Sequence, residues 1–462
     1  MFNAMKPLPS KESKRREREV FGLAETIASE PGIPVAEIQM KAGAISASCR
    51  TSYYHYLNSA VEWGWIERHG ITRATVYKPT PQFLHHVAIR DMQEPLAKRV
   101  KVGYNAEFLK SYVPNETFYL TVEQRATLHA SCAEGAFRAH DDAVSQEVRR
   151  FMTDLTHNSS AFEGVDIQYA DTITFLEQNI ESRHMSPMDA AILRNHYNAI
   201  RYIVDNTHYP PEEGDLVISE FEIRSIHSML SDGLLKDSRK QGKLRHEYVE
   251  IRDSCYIPIA QPDVISSEFK QMSEKAAAIN DPYEQAMFLL VHIPYLQPFE
   301  DCNKRTARLV CNIPLLSKGI LPISWSEVNQ NDYTDSLLCI YEKNSVYGLC
   351  NVFVDACKRS FERFELAQKG RVPQRLEISM AKQISEAINN RILHGDYSLP
   401  RNVDPMQIVE FEAFIVYKLD QIRENEMAAV PYRIRPKAVS EWLLREASNS
   451  NTPNPEEQTD DV

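Results

Sequence analysis

The chain has 462 residues, and its hydrophobic share of 43% and charged share of 25% are ordinary for a folded protein of two or three domains. No apolar run approaches the roughly 20 residues that a membrane-spanning helix needs, and the first residues lack the apolar stretch of a secretion signal. We therefore expect a cytoplasmic protein with no membrane partner.

Charge is unevenly distributed along the chain. Residues 1–90 contain twelve Lys or Arg and eight Asp or Glu, whereas the whole chain has a net charge of −12. Because the first segment is slightly basic and the rest of the chain is acidic, we expect that only the N-terminal segment could bind nucleic acid. The eight cysteines include no Cys-x-x-Cys pair, which predicts small buried side chains in a reducing compartment and no zinc site.

Residues 1–90 predict a winged-helix domain. Helices are expected over 20–29, from Pro34 onward and over 46–65, followed by a hairpin over 66–79. Such a unit binds DNA through its third helix and its wing, here residues 46–75. The side chains offered to DNA would be Arg50, Thr51, Ser52, Tyr53, His55, Arg68 and Arg73. A role in protein contact or dimerisation is equally open.

The rest of the chain is predicted to be mostly helical. After a connector over 91–118, apolar residues at i, i+3 and i+4 predict helices over 122–155, 170–182, 186–206, 219–231, 262–293, 304–318, 330–343 and 346–366. Residues 245–257 interrupt them with two extended pieces around a turn at 252–254, which predicts a hairpin. Residues 371–447 predict further helices, and 448–462 are polar enough to predict a disordered tail.

The most informative stretch runs from Gln297 to Arg308 and reads Gln-Pro-Phe-Glu-Asp-Cys-Asn-Lys-Arg-Thr-Ala-Arg; we call it the phosphate loop. It sets an Asn and three cations where a helix begins. Exposed N–H groups and the helix dipole attract anions there, and Arg side chains bind phosphate oxygens. Asp301 is a candidate ligand for Mg²⁺ against the same phosphates.

This pattern resembles the signature of the Fic (Fido) family, His-x-Phe-x-Asp/Glu-Gly-Asn-Gly/Lys-Arg-x-x-Arg. Six positions match, whereas Gln297 stands where the family has its catalytic His and Cys302 where it usually has Gly. The matching residues are Phe299, Asp301, Asn303, Lys304, Arg305 and Arg308. The resemblance implies a mainly α protein, a Fic-type helical bundle with a β-hairpin flap over residues 91–370, preceded by the winged-helix domain.

The resemblance also implies a reaction, in which the family transfers AMP from Mg-bound ATP to a target hydroxyl. Asp301 would hold the Mg²⁺, and Cys302, Asn303, Lys304, Arg305 and Arg308 would line the ATP phosphates. Lys304 resembles the Doc-like branch, which transfers a phosphate instead. Trp325 falls where the family places its adenine pocket, although a core position is the more ordinary role for a tryptophan.

Residues Ser159-Ser-Ala-Phe-Glu-Gly164 resemble the family's inhibitory segment, Ser/Thr-x-x-x-Glu-Gly/Asn. The resemblance implies that Glu163 pairs with Arg308 and competes with phosphate for the guanidinium. From the residues alone, Ser160 and Glu163 also fit a capping box at the start of a helix.

The resemblance implies a protein partner as well. The flap over 245–257 would take a protein substrate by strand pairing, which uses backbone groups and leaves the target unnamed. DNA is a possible partner of residues 46–75, and we expect a homo-oligomer.

The departure at Gln297 leaves the function open. A Gln amide does not titrate near neutral pH and cannot accept the target's proton, although it can position a hydroxyl together with Asn303. His246 is a candidate substitute base, whereas His292 faces about 140° away from Gln297 on a helix.

One hypothesis for the function is a transferase restrained by Glu163. The other is a nucleotide-responsive winged-helix transcriptional regulator without transfer. A pure scaffold is disfavoured by the three cations of the loop.

Overall fold

The computed structural model describes residues 11–32, 50–70, 75–137, 139–140, 145–326, 328–368, 380–400, 403 and 408–449. The chain divides into two units, Met1–Ser360 and Phe361–Val462. Helices dominate the described residues, and the strands form two short two-stranded sheets. The predicted mainly α class is confirmed. No helix in the described part is both long and apolar enough to cross a bilayer.

The first unit opens with helices and a hairpin. Helix α1 (Lys11–Ser29) and helix α2 (Arg50–Glu62) precede strands β1 (Ile66–His69) and β2 (Val76–Pro79), and helix α3 (Pro81–Met92) follows. The strands pair antiparallel, with Ile66 opposite Pro79. The shared core includes Val20, Leu23, Ile27, Tyr53, Leu57, Trp65 and Phe83.

Several predictions for this region need correction. Helix α1 begins at Lys11 rather than at Val20, because the Lys, Glu and Arg residues before Val20 are good helix formers. Tyr53 is only 7% exposed and packs into the core, so it cannot contact DNA. The helix predicted to begin at Pro34 lies outside the described part. The same holds for Arg73 and for the side chains of residues 50–52.

The connector predicted over 91–118 contains regular elements. A 3₁₀ turn (Leu96–Lys98), strand β3 (Val102–Gly103) and helix α4 (Ala106–Lys110) follow one another there. Each is too short to produce a hydrophobic period, which is why the sequence pattern missed them.

The remaining helices of the first unit include one that is almost completely buried, and the last of them extends past Ser360. They are α5 (Val122–Ser131), α6 (Ser145–Ala161), α7 (Tyr169–Gln178), α8 (Pro187–Asp205), α9 (Glu220–Leu230), a 3₁₀ turn (Ser238–Lys240), α10 (Pro262–Ala277), α11 (Pro282–Leu296), α12 (Asn303–Val310), α13 (Ile313–Leu316), α14 (Gln330–Lys343) and α15 (Tyr347–Gln368). Every residue of α11 except Gln285 is buried, as expected for a helix that is apolar on all sides. Asp281 caps α11 by accepting from the N–H groups of Tyr283 and Glu284, which splits the helix predicted over 262–293.

The hairpin predicted over 245–257 does not form. The turn at Arg252 and Asp253 is present, but strand β4 (Tyr256–Ile257) pairs in parallel with β3, and residues 245–255 contain no strand. Val102 lies opposite Tyr256, and Gly103 lies opposite Ile257. An isolated two-stranded hairpin is marginal in water, and here a distant segment supplies the partner strand.

The second unit is a small helical cluster with a core of its own. It contains helix α16 (Ala381–Asn389), a π-helical turn (Asn390–His394), helix α17 (Ile408–Glu424), a 3₁₀ stretch (Glu426–Tyr432) and helix α18 (Pro436–Asn449). Its core includes Ile384, Ile388, Ile392, Phe411, Ile415 and Trp442. Gly395 ends the π-helical turn with φ 67°. Residues 450–462 of the predicted tail lie outside the described part.

The cysteines of the described residues are free and buried, as predicted. They are Cys132, Cys255, Cys302, Cys311, Cys339, Cys350 and Cys357. No three His, Cys, Asp or Glu side chains of the described residues are grouped so that they could hold a metal ion.

Candidate active site

The phosphate loop connects the end of α11 to the start of α12. Gln297 ends α11 in the left-handed region, and Cys302 precedes α12 with φ 61°, a backbone conformation that glycine adopts most easily. Asn303 braces the loop. Its side chain accepts from the Phe299 N–H and donates to the Phe299 carbonyl, at 3.0 and 2.9 Å.

Both ends of the Gln297 amide are engaged. Its Nε2 donates to the Pro294 carbonyl at 2.8 Å, and its Oε1 accepts from Asn303 Nδ2 at 2.9 Å. The carbonyl oxygen keeps a second lone pair that can accept from a hydroxyl. The amide is therefore suited to orient a hydroxyl group but not to take its proton.

Arg305 supplies unused donors at the start of α12. Its Nη2 donates to Asp301 Oδ2 at 3.2 Å, whereas Nε and Nη1 are buried without a hydrogen-bond partner among the described residues. Unpaired buried N–H groups on a charged side chain are costly and rare in a folded protein. Unpaired donors on a buried guanidinium suit the binding of phosphate oxygens, which Arg binds through charge-assisted hydrogen bonds.

Asp301 and Lys304 flank these donors. The Asp301 side chain is 62% exposed, with its Oδ1 accepting from the Cys302 N–H at 2.6 Å. Lys304 is half-buried and makes no ion pair or hydrogen bond within the described residues. The donor set therefore fits a magnesium-bound phosphate chain, in which Asp301 would hold the metal and Arg305 and Lys304 the phosphate oxygens.

Arg308, the last cation of the loop, is fully buried and already paired. Its Nη2 donates to Glu163 Oε1 at 2.7 Å, and its Nε donates to Ser159 Oγ at 3.0 Å. The Phe162 and Tyr333 rings stack on each other beside it, with centroids 5.2 and 5.6 Å from the guanidinium carbon. The sequence prediction of a Glu163–Arg308 contact thus agrees with the geometry.

Ser159 is itself held by a buried histidine. His196 Nδ1 contacts the Ile192 carbonyl at 2.8 Å and must donate there, so Nε2 accepts from the Ser159 hydroxyl at 3.1 Å. Burial, together with the charges of Arg305 and Arg308, lowers the pKa of His196 to about 3. The imidazole is neutral at pH 7 and fixes the Ser159 oxygen toward Arg308.

The alternative capping-box prediction for Ser160 and Glu163 is wrong. Ser160 lies in the last turn of α6, so Glu163 follows the helix instead of opening it. Gly164 comes next with φ 90°, a value that favours glycine and turns the chain away. The segment is placed by the end of α6 and by the Arg308 contacts.

The charge on Glu163 is insensitive to pH in the physiological range. Burial acts to raise its pKa, but the cations Arg308, Lys304 and Arg305 lower it to about 2. A lowered pKa means that the pair contributes stability above the unfolded value of about 4.5 and loses it only as pH falls toward 2. We therefore expect the restraint to persist from pH 7 to pH 5. The test is the ratio of the modification rate of Glu163→Gln to that of the wild-type chain, measured at pH 7 and at pH 5. A ratio that changes between the two pH values would contradict this expectation.

Two residues that the sequence analysis did not identify shape the loop. His227 stacks on Phe299 at 3.8 Å, donates from Nε2 to the Asp301 carbonyl and accepts at Nδ1 from the Gly242 N–H. Arg245 donates to the backbone carbonyls of Gln297, Glu247 and Ile259. Both act on backbone atoms, which leaves no spacing signal. The only signal in the sequence was that Gly242 and Arg245 lie three residues apart in one short stretch.

Three other candidate residues are not placed among the donors of the phosphate loop. Trp325 is 1% exposed with its ring against Tyr333, which is a core position and presents no face to a base. His292 is buried, and Tyr119 contacts its Nε2 at 2.6 Å, so it has a structural role. His246 is exposed and follows Arg245.

The chain is similar to several solved structures at low sequence identity. A Fic-1 fragment from C. elegans (residues 134–508) is 16% identical, with 78% of this chain and 87% of that chain covered and a TM-score of 0.45. A Fic domain containing signaling protein from Bacteroides thetaiotaomicron is 19% identical, with 54% and 97% covered and a TM-score of 0.43. An IbpAFic2 variant in complex with adenylylated Cdc42 is 13% identical, with 74% and 96% covered and a TM-score of 0.35.

No curated protein sequence matches the chain. The family model described as Fic/DOC family matches residues 217–315, which include α9, the segment from Gly242 to Arg245 and the whole phosphate loop. Within the mainly α fold, the match to the Fic/DOC family model thus covers the region that holds the candidate site.

Proposed function

We propose that this protein is a Fic-type transferase that binds Mg·ATP and transfers AMP to a hydroxyl of a protein. The observation that carries the proposal is Arg305, a buried guanidinium with two unpaired donors at the start of α12. The match of this region to the Fic/DOC family model supports the same reading. One similar structure, IbpAFic2, is described in complex with an adenylylated protein.

In this proposal the phosphate loop binds the phosphates and the metal. Asp301 would hold Mg²⁺, and Asn303, Lys304, Arg305 and the N–H groups at the start of α12 would surround the phosphate oxygens. Arg308 joins them only when Glu163 leaves. Cys302 contributes its left-handed backbone rather than its thiol, whose pKa burial raises to about 12.

The target hydroxyl oxygen attacks the α-phosphorus of ATP, the bond to the bridging oxygen breaks, and pyrophosphate leaves. Gln297 orients the hydroxyl through its free lone pair. Because the amide does not titrate, the hydroxyl proton passes to water or to a phosphate oxygen. Loss of a general base costs about 10²–10⁴ in rate, so the natural reaction is expected to be slow.

The protein substrate would dock on residues 245–257, which we call the docking segment. The first residue of this segment, Arg245, is held by its hydrogen bond to the Gln297 carbonyl. At the other end of the segment, β4 pairs with β3. From Tyr248 to Glu250, the backbone N–H and C=O groups make no hydrogen bond within the described residues, and the Tyr248 side chain is 52% exposed. Unpaired extended backbone is a template for strand addition.

The test uses ATP labelled on either its α-phosphate or its γ-phosphate, incubated with Mg²⁺ and the full chain carrying Glu163→Gly, because Glu163 occupies Arg308 in the wild-type chain. Label retained from the α-phosphate, with a matching gain in intact mass, supports AMP transfer. Label retained only from the γ-phosphate supports the Doc-like transfer that Lys304 suggests. No retained label with either substrate contradicts a transferase.

Arg305 can be tested separately by binding. We expect Arg305→Gln to weaken ATP binding by roughly tenfold to a hundredfold, because hydrogen bonds to a charged group contribute about 1.5–3 kcal/mol each. Calorimetry with Mg·ATP measures the loss. Arg252→Gln makes the same chemical change at an exposed Arg of the docking segment and should leave the affinity unchanged. Equal affinities for both variants would remove Arg305 from the site.

We propose as the alternative a nucleotide-responsive regulator in which the Fic/DOC domain binds ATP without transfer. The Gln297 amide favours it, since no titrating group replaces the base at this position. The exposed His55 and Arg68 of α2 and β1 remain available for DNA. Mg·ATP should then change the affinity for duplex DNA, with affinity falling steeply as salt rises. Identical DNA affinities with and without nucleotide would contradict this alternative.

A further inference from the structure

The far end of the docking segment is held by an ion pair that lies away from the phosphate loop. Arg99 Nη1 donates to Glu342 Oε1 at 2.8 Å, and the two side chains are only 10% and 3% exposed. Arg99 belongs to the connector between α3 and β3, and Glu342 lies in the last turn of α14. A charge pair this deeply buried needs further partners to offset its lost hydration.

Those partners come from the docking segment. Glu342 Oε1 also accepts from the Ser254 hydroxyl at 2.8 Å and from the Cys255 N–H at 3.0 Å. Arg99 Nη2 donates to the Asp253 carbonyl at 2.8 Å. Three consecutive residues of the segment are therefore bound to one ion pair.

The connector continues the same attachment through its backbone. The Val102 N–H donates to the Cys255 carbonyl and the Tyr104 N–H donates to the Ile257 carbonyl, both at 3.1 Å. With Arg245 at the first residue, the segment is fixed at both ends, whereas the backbone groups from Tyr248 to Glu250 make no hydrogen bond within the described residues. The position of its free backbone edge thus depends on residues 99–104.

The connector is attached in turn to the N-terminal helices. Lys343, next to Glu342, pairs with Asp91 of α3 at 3.0 Å, and the His85 ring lies 5.7 Å from the Tyr347 ring. Helix α3 leads directly into the connector. A shift of α3 would therefore be transmitted to Arg99 and β3.

We propose that Arg99 and Glu342 are positioning residues for target docking, and that they set the edge on which a target strand is laid. This inference rests on the proposed function, since it names how that same site receives its protein substrate. It assigns the connector after the N-terminal helices a part in substrate recognition. Neither residue touches the phosphate loop, so ATP binding should not depend on them.

Hydrogen exchange of the full chain tests the inference without requiring activity. In Arg99→Gln, the amides of Cys255, Val102 and Tyr104 should exchange roughly tenfold faster or more, because a bond to a charged group is lost. Arg99→Lys keeps the charge but not the forked contact, and should show a smaller increase. Arg252→Gln is the matched control and should leave these amides unchanged.

Two further measurements separate positioning from general support of the fold. Amides of α11 should keep their protection in Arg99→Gln, and its affinity for Mg·ATP should equal that of the wild-type chain. In the Glu163→Gly background, Arg99→Gln should lower transfer to the protein's own hydroxyls by about tenfold.

Three results would overturn the inference: unchanged exchange in the docking segment, faster exchange throughout α11, or faster local exchange with undiminished transfer. If Glu163→Gly transfers nothing at all, the proposed function fails. The exchange pattern then still decides whether the pair fixes the segment.

Discussion

Glu163→Gly should raise AMP transfer to protein by roughly tenfold to a hundredfold. Arg308 is paired with a carboxylate from outside the phosphate loop, Glu163, and removal of that carboxylate frees a charged donor worth about 1.5–3 kcal/mol to a phosphate. The remaining contacts of Arg308 with Ser159 keep its guanidinium near the same place. Retained α-phosphate label and intact mass, followed over time, measure the gain.

The matched control for this variant is Glu163→Gln. A Gln amide keeps the shape of the side chain but offers only a neutral acceptor to Arg308, so its effect should fall between those of the wild-type chain and Glu163→Gly. Loss of one partner of a buried pair also destabilises the fold by about 3–5 kcal/mol, so thermal unfolding should accompany the assay. If Glu163→Gly folds, binds Mg·ATP and transfers no faster than the wild-type chain, the restraint assigned to Glu163 is wrong.

Gln297→His in the Glu163→Gly background should raise the transfer rate by a further 10²–10⁴, the usual worth of a general base. The left-handed backbone at residue 297 tolerates His better than most residues, since His is enriched in that region. A new dependence of rate on pH, centred near the pKa of a histidine, would identify the imidazole as the base.

Gln297→Asn is the control, because it keeps the amide and introduces no titrating group. It should not gain activity. If Gln297→His is no faster than its parent while both bind ATP equally, the loop does not place a target hydroxyl beside residue 297. That outcome would favour the regulator over the transferase.

The sequence identified the phosphate loop because its chemistry is local. The residues from Phe299 to Arg308 follow one another on a loop and a short helix, so their relative positions can be predicted from their spacing in the sequence. The contact of Glu163 with Arg308 joins distant segments, and only the resemblance to the Fic family pointed to it. The capping-box alternative failed because local spacing cannot tell the end of a helix from its beginning.

Several of the errors concern backbone groups whose partners are distant in sequence. The extended character of 256–257 was visible, but its partner strand at 102–103 is two residues long and has no periodic pattern. His227 and Arg245 likewise bind carbonyls and N–H groups that any residue could supply. Tyr53 was assigned to a DNA-facing surface because helix periodicity does not say which side of a polar aromatic helix is covered.

The burial of Cys302 makes it a built-in chemical probe of this site. Its thiol is 2% exposed, and burial raises its pKa to about 12, so an alkylating reagent can reach it only while the loop is transiently open. The labelling rate of this single cysteine, read by peptide mass, therefore measures how often the start of α12 detaches from its neighbours. A ligand that closes the loop would slow the labelling, which gives a way to screen nucleotides and metals without knowing any target protein.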